Sequence, residues 1–534
     1  MRERILNTIG FGLLAVCFVV ALGRTLWPKP KTESGENVVT IRIAHWQLEG
    51  GVREAIDAMA RAYEAEHPGV RVVQIPIPER IYTNWLITQL VGGTAPDIIQ
   101  IGIGISDERL SRFFVPLTGL AEEPNPYNKG TDLEGIPLRD TIFDGMRGGY
   151  NEALIEFYGV PLSGTSIRAY YNLDLLKKVT GSEKLPTNFR EFIELCKKVE
   201  DYSQKTGEIL LPIAASRYNG PQLMERLFDS QTQKLVQREN PVGTLEFQPT
   251  LTLRRYAEGD WDMRTPELLS GFELMRAVAN YMQPGFMQLQ RDDATFYFVQ
   301  GRTLMITSGS WDSTSIRSQA PFRVGIAPIP APTRDDPEYG EFILGPLSEA
   351  GSLAAVSFGL TRGSPHPKVA KDFLLFMASQ RINKIWTDVS GWLPSVVGVE
   401  PHPSALPFKP IMEGYPSGLN LAPTPDLKRI WATNAHLLFG PEGSAERFAA
   451  AMERDFLRAS TSDLRRQLTS IELNGKRSDT VLAALAVQAG DHPDDRATAL
   501  KLDLAIQAAA TNDRNLQSTR AALKASEQAL NSQP

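Results

Sequence analysis

An α/β fold is predicted by three features of this 534-residue sequence. Strand-like and helix-like segments alternate over the first hundred residues, and glycines and serines gather where apolar runs end. Beyond residue 458 the chain changes to an Ala-, Leu- and Gln-rich stretch with helical patterning. The length suits two or three domains of roughly 150 residues each. Apolar residues make up 42% and charged residues 22%, the composition of a folded chain. A net charge of -6 gives no general basic surface for nucleic acid, whose binding depends on neutralising phosphates. A neutral or weakly charged small ligand fits better.

Taken in chain order, residues 1–28 have a basic start, an apolar centre at 9–23 and a Pro/Lys-rich exit. They are expected to be a signal peptide or a membrane anchor, and either outcome exports the protein to a periplasmic or extracellular location. After a polar linker, "VVTIRIAHW" alternates as a strand does, and "GGVREAIDAMARAYEAEHPGV" has helical spacing that stops at Pro68 and Gly69. "VRVVQIPIP" is a second strand, "IYTNWLITQLVGG" a helix and "APDIIQIGIG" a third strand. This order predicts a largely parallel sheet. The apolar run of "YFVQGRTLMITSGSWD" is a further strand, which delivers Trp311 to its tip. At the C-terminal end, residues 459–534 are expected to form two or more helices with a turn at residues 490–493. Cys17 and Cys196 are the only cysteines, so no disulfide framework or cysteine metal cluster is expected. No cofactor is expected either.

In such sheets ligands collect beyond the carboxyl ends of the strands. Those ends are "HWQLEGG", "IGIGISDE" and "GSWDS", with "GSLAAVSFG" inside a later segment. Small residues there leave backbone amides and hydroxyls open to a ligand.

Five phrases in this order resemble the extracellular solute-binding proteins of ABC importers, in the family 1 group of maltose-binding-protein-like, type II periplasmic binding proteins. They are the opening strand–helix–strand, "LITQLVGGTAPDIIQIG", "YGVPLSGTSIRAYYNLDLLKKV" with "LPTNFREFIELCKKV", "FVQGRTLMITSGSWD", and "VAKDFLLFMASQRINKIWTDVSGWLPS". The resemblance spans roughly residues 38–456. Phe189 stands where the family has Trp, residues 321–347 are unusually proline-rich, and the C-terminal extension has no counterpart in compact members. It implies a two-lobed fold in which residues 38–160 plus 331–386 form lobe I and 161–330 plus 387–458 form lobe II. A ligand would lie between the lobes, with hinge closure around it. The implied function is an exported monomeric receptor that binds a carbohydrate and delivers it to ABC permease subunits in the inner membrane. A binding module of a sensor or surface complex, and a polysaccharide-active enzyme, are the alternatives.

A sugar presents hydroxyls at its edges and C–H groups on its faces, so its site pairs flat aromatic rings with fixed polar groups. Trp311 is the leading candidate, since the family's matching tryptophan stacks on sugar, and Asp312 follows it as an acceptor. Trp46, Gln47 and Glu49 end the first strand, and Gly102 and Ser106 belong to the loop after the third. Ser163, Thr165 and Ser166 lie on the crossover, Tyr218 follows another apolar strand, and Trp392 lies in "SGWLPS". Asp97 is read as structural. The six histidines form no H-E-x-x-H pair, and neither a G-x-S-x-G elbow nor a P-loop is present. These patterns give no support to zinc, serine-hydrolase or nucleotide chemistry, and the expectation is a binding protein that is not an enzyme.

Overall fold

A computed structural model describes residues 38–102, 104–240, 248–415, 419–440 and 442–532. The N-terminal signal or anchor expectation therefore lies outside the described residues, as does Cys17. Among the described residues no helix is long and apolar enough to cross a membrane.

The strands are β1 (Val39–His45), β2 (Val70–Pro76), β3 (Ile98–Gln100), β4 (Tyr150–Asn151), β5 (Glu156–Phe157), β6 (Val160–Gly164), β7 (Ile167–Asn172), β8 (Leu211–Ala214), β9 (Thr303–Gly309), β10 (Val324–Ala327), β11 (Ala355–Leu360) and β12 (Leu393–Pro394). A six-stranded sheet runs β12-β6-β11-β3-β1-β2 and a four-stranded sheet runs β10-β7-β9-β8, while β4 and β5 form a hairpin. Each sheet is the floor of one lobe.

The opening strand–helix–strand–helix–strand unit forms as the patterning predicts. β1 pairs in parallel with β2 and β3. Between them the helix Val52–Glu66 turns Val52, Ala55, Ile56, Met59 and Tyr63 inward, an i, i+3, i+4 stripe that buries one face. The largely parallel sheet is corrected. β11 runs antiparallel to both β3 and β6, and β12 antiparallel to β6. In the other sheet β7 is antiparallel to β9 and β10, and only β8 pairs in parallel with β9. The reason is connectivity: β11 and β12 enter the first sheet after the chain has passed through the second, not through a local helical crossover.

Strand membership also differs from the expected lobe limits. β6 pairs within the first sheet through Gly164, past residue 160, and β12 pairs there past residue 386. The backbone ladder, which has to be satisfied, continues in both places. The crossover proper is thus Thr165 and Ser166, the two residues between β6 and β7.

This register decides where a ligand could sit. β11 starts where β1 and β3 end, and Gly164 closes β6 at the same edge. In the second sheet the ends of β8 and β9 and the start of β7 share an edge, since Ile167 lies opposite Gly309 and Ala214 beside Ile306. Both edges meet at the crossover. Two large apolar clusters underlie the lobes, one around Ile43, Phe373 and Trp386 and the other around Phe192, Phe272 and Phe448.

At the C-terminal end, helix Ala445–Asp491 and helix Arg496–Ser532 form a hairpin. The turn expected near residues 490–493 is present. The first helix has no break at 458 and begins inside the second lobe's core, where Phe448, Met452 and Phe456 are fully buried.

Candidate functional site

β9 is buried along its whole length and emerges at a short turn, Ser310–Asp312. Ser310 N–H donates to the Ser166 carbonyl at 2.8 Å, and Tyr170 Oη donates to the Gly309 carbonyl at 2.6 Å. These bonds fix the turn against the crossover. The Trp311 ring lies so close over Gly309 that a Cβ there would stand 2.3 Å from it. Glycine at this strand end therefore lets the indole fold back flat, half-buried.

One face of the tip borders a cavity of about 650 Å³, lined by Trp311, Thr165, Ser166, Gln222, Arg226 and Glu349 among others. That volume is in the range of small-molecule sites, about 300–1,000 Å³. A second cavity of about 650 Å³ shares Thr165, Glu349 and Ser352 with it and runs on past Phe143, Arg147 and Leu393. Residues 350–353, all exposed, form a narrow loop between the two.

The other face of the tip meets the first lobe. Asp312 is paired with the Arg291 guanidinium and accepts from Ser308 Oγ. Arg291 reaches across to Glu49 at 3.6 Å and lies 5.5 Å from the centre of the Tyr218 ring. Burial opposes the Arg291 charge, but Asp312 and Glu49 outweigh it and raise its pKa. Burial likewise raises the Glu49 carboxyl above its ordinary value, partly offset by its own backbone N–H and by Arg291. Gly50 N–H donates to Ser315 Oγ at 3.4 Å, and Thr314 Oγ1 donates to the Ser390 carbonyl at 2.7 Å. The lobes are thus in contact beside the cavity.

Trp46 packs edge-on to Tyr82 at 5.0 Å, half-buried, and its ring stands 3.5 Å from where a Gly102 Cβ would be. Gly102 has φ +142, a conformation that side chains rarely adopt. Gln47 is buried, and with its amide oxygen toward donors it accepts from Trp46 Nε1 and Gln100 Nε2 while its nitrogen donates to Glu49. Trp46, Gln47 and Glu49 therefore act as one bonded unit. Ser106 caps helix Asp107–Phe113 by accepting from Arg109 N–H at 3.4 Å. Ser166 Oγ donates to the Phe408 carbonyl.

Two expected contacts are corrected. Ser163 is fully buried within the sheet and its Oγ donates to the Leu393 carbonyl at 2.8 Å. Trp392 is 1% exposed and packs at right angles to Trp386 inside the first lobe. Ser163 lies one position before the end of β6 and Trp392 immediately precedes β12, and the fold turns both side chains into the first lobe's interior. Asp97, read as structural, accepts from Arg42 N–H and Ser364 Oγ.

Sequence reading missed Arg291, Arg168, Arg226 and Glu349. Arg168 is 1% exposed, and its guanidinium grips Glu349 with two bonds of 3.0 Å. It also donates to the carbonyls of Ile167, Pro407 and Lys409. Arg226 reaches the same carboxylate at 3.3 Å. An arginine inside the apolar run "IRAYYN" was the signal for this centre. Glu349 lies just beyond the proline-rich stretch and Arg291 opens an unremarkable helix, so neither had one.

The profile of the family described as bacterial extracellular solute-binding protein matches residues 58–409, well over half of the chain. An uncharacterized ABC transporter extracellular-binding protein of Pyrococcus horikoshii is 21% identical over 439 residues, covering 79% of this chain and 86% of that one. The sn-glycerol-3-phosphate-binding periplasmic protein UgpB of Escherichia coli is 24% identical over 374 residues, covering 68% and 75%. Among solved structures, RafE in complex with raffinose aligns with a TM-score of 0.50 at 18% identity, over 79% of this chain and 99% of that one. The GacH receptor of Streptomyces glaucescens aligns with a TM-score of 0.50 at 16% identity, over 79% and 99%. At these identities the structural likeness establishes the two-lobed fold.

Proposed function

The chain belongs to the bacterial extracellular solute-binding protein family, and from that membership we propose that it is the receptor of an ABC importer for a neutral oligosaccharide. The observation that carries this reading is the Trp311 ring at the wall of a cavity that also presents Thr165, Ser166 and Gln222. An indole face suits sugar C–H groups, and hydroxyl and amide groups suit their edges. A second cavity that shares Thr165, Glu349 and Ser352 with the first favours more than one sugar unit. Ligand would favour the arrangement with the lobes in contact, and that form would engage the permease. Trp46, Gln47, Glu49, Gly102, Tyr218 and Asp312 line the contact between the lobes and shape it, while Trp311, Thr165 and Ser166 touch ligand. In this reading the protein acts as a monomer and turns nothing over. The N-terminal segment exports it or holds it at the membrane.

A phosphorylated polyol is the second reading. Arg334 and Arg226 on the cavity wall favour it, together with the name of the Escherichia coli relative. Thermal unfolding with raffinose, maltotriose and sn-glycerol-3-phosphate separates the two. A ligand bound only by the folded state adds about 2.7 kcal/mol at 100 times its Kd. A shift with an oligosaccharide and none with the phosphate ester is expected, with no product formed. A shift with the phosphate ester alone would replace the first reading by the second.

A further inference from the structure

Helix Arg496–Ser532 touches both lobes. Near its start, Leu500 is buried in the first lobe's core with Leu504 packed beside it. Lys501 pairs with Glu156 at 2.7 Å, and Ala497 lies over Gly119 in the helix Thr118–Ala121. Near its end, Ala522 is buried in the second lobe's core with Leu523 and Leu530 against it, and Ser518 Oγ bonds Thr250 Oγ1 at 2.5 Å. The two footholds are 22 residues apart, about 33 Å along a helix. Its partner, Ala445–Asp491, is rooted in the second lobe, and the Arg465–Glu527 and Arg520–Glu472 pairs join the two helices to each other. The hairpin is thus anchored in one lobe and reaches over the other.

We infer that the C-terminal hairpin is a strap that holds the lobes in the arrangement seen here, with the cleft edges in contact, so that opening the cleft requires its tip to leave the first lobe. The hairpin's first helix grows out of the second lobe's core at Phe448, Met452 and Phe456, and Ala522 of its second helix is buried in that same core, so the first-lobe foothold is the one that parts. A rigid helix fixed at both ends cannot follow a hinge rotation without losing one end. Each contact made only in the closed arrangement adds to its population. The inference rests on the fold and needs no particular ligand.

Hydrogen exchange of the full chain tests it, with residues 46–51 and 310–315 reporting on the cleft edges and 497–504 on the tip. Two variants push in opposite directions. In Gly119→Cys with Ala497→Cys, made in a Cys17→Ser background, the Cβ at 119 would stand 3.8 Å from that at 497. That is the separation a disulfide needs, about 3.8 Å. Cys196 is buried in the core, away from the pair. Oxidation is expected to slow exchange at both cleft edges by about tenfold, because it removes an open state of order 1–10% population, and reduction restores it. Leu500→Asp with Lys501→Glu is expected to speed exchange at the tip and at both cleft edges, and in Lys501→Glu alone Glu156→Lys restores it. Cleft edges that exchange at the same rate in the oxidised, reduced and tip-detached proteins would overturn the strap. So would a tip freed by substitution with no change at the cleft.

Discussion

Trp311 depends on Gly309 for its position, and the pair makes a prediction that separates the ring from its placement. Trp311→Ala removes the stacking face and is expected to weaken oligosaccharide binding by about 2 kcal/mol, roughly 30-fold. Gly309→Ala leaves the ring chemically intact but puts a Cβ where the ring lies. It should weaken binding comparably while the folded far-UV circular dichroism is kept; binding equal to the parent would mean that the ring does not touch ligand. His45 makes a second, independent prediction. It is fully buried, and burial lowers its pKa to about 4, against the opposing effect of its bond to Gln74. The neutral ring is the folded form, so its contribution is complete above pH 6.5 and is lost as pH falls from 6.5 toward 4. The loss is about 3 kcal/mol over that window. Urea unfolding at pH 7.5 and 4.5 checks it, and His45→Gln should flatten the difference; an unchanged slope would place the acid sensitivity elsewhere.

At the scale of elements, the pair Arg168 and Glu349 joins β7 of the second lobe to the loop that leads into β11 of the first. Glu349→Ala would leave Arg168 buried without its counter-charge and is expected to cost about 3–5 kcal/mol in urea unfolding. Replacing the three charged groups together, by Arg168→Met, Arg226→Met and Glu349→Leu, should cost much less, since it removes the charges along with their desolvation. Equal losses in both proteins would mean that shape rather than charge sets the stability here. The opening helix Val52–Glu66 was legible because it buries one face, which period 3.6 records in the residues themselves, and β3 because its short apolar run is buried on both faces. Sheet order was not: β11 and β12 join the first sheet by contacts nearly two hundred residues or more from their neighbours, and no local period encodes such a partner. The site was legible in part for the same reason. A strand tip with glycine and serine pointed to Trp311, and the crossover that the resemblance implies to Thr165 and Ser166, all three of which border the cavity, whereas Arg291 and Glu349 meet their partners only when distant segments come together. Trp392 shows the converse, an aromatic near a Gly-Ser tip whose ring the fold turns inward.

At the scale of the whole molecule, two lobes built on separate sheets are joined by three passages of the chain, with the cavity beside the first of them, Thr165 and Ser166, and the C-terminal hairpin spanning both. The family match ends at residue 409, and the hairpin lies beyond it. If the hairpin holds the lobes together, its affinity for ligand includes the strap's contribution, because only the competent fraction binds. Detaching the tip by Leu500→Asp with Lys501→Glu should then raise Kd without touching Trp311. Oligosaccharide binding at Trp311 is tested by isothermal titration of the full chain with raffinose and maltotriose, run beside Trp311→Ala. One site per chain is expected for at least one of these sugars, with a roughly 30-fold weaker Kd in the variant. Failure of both sugars to bind a folded protein, or equal affinity in the variant, would contradict it.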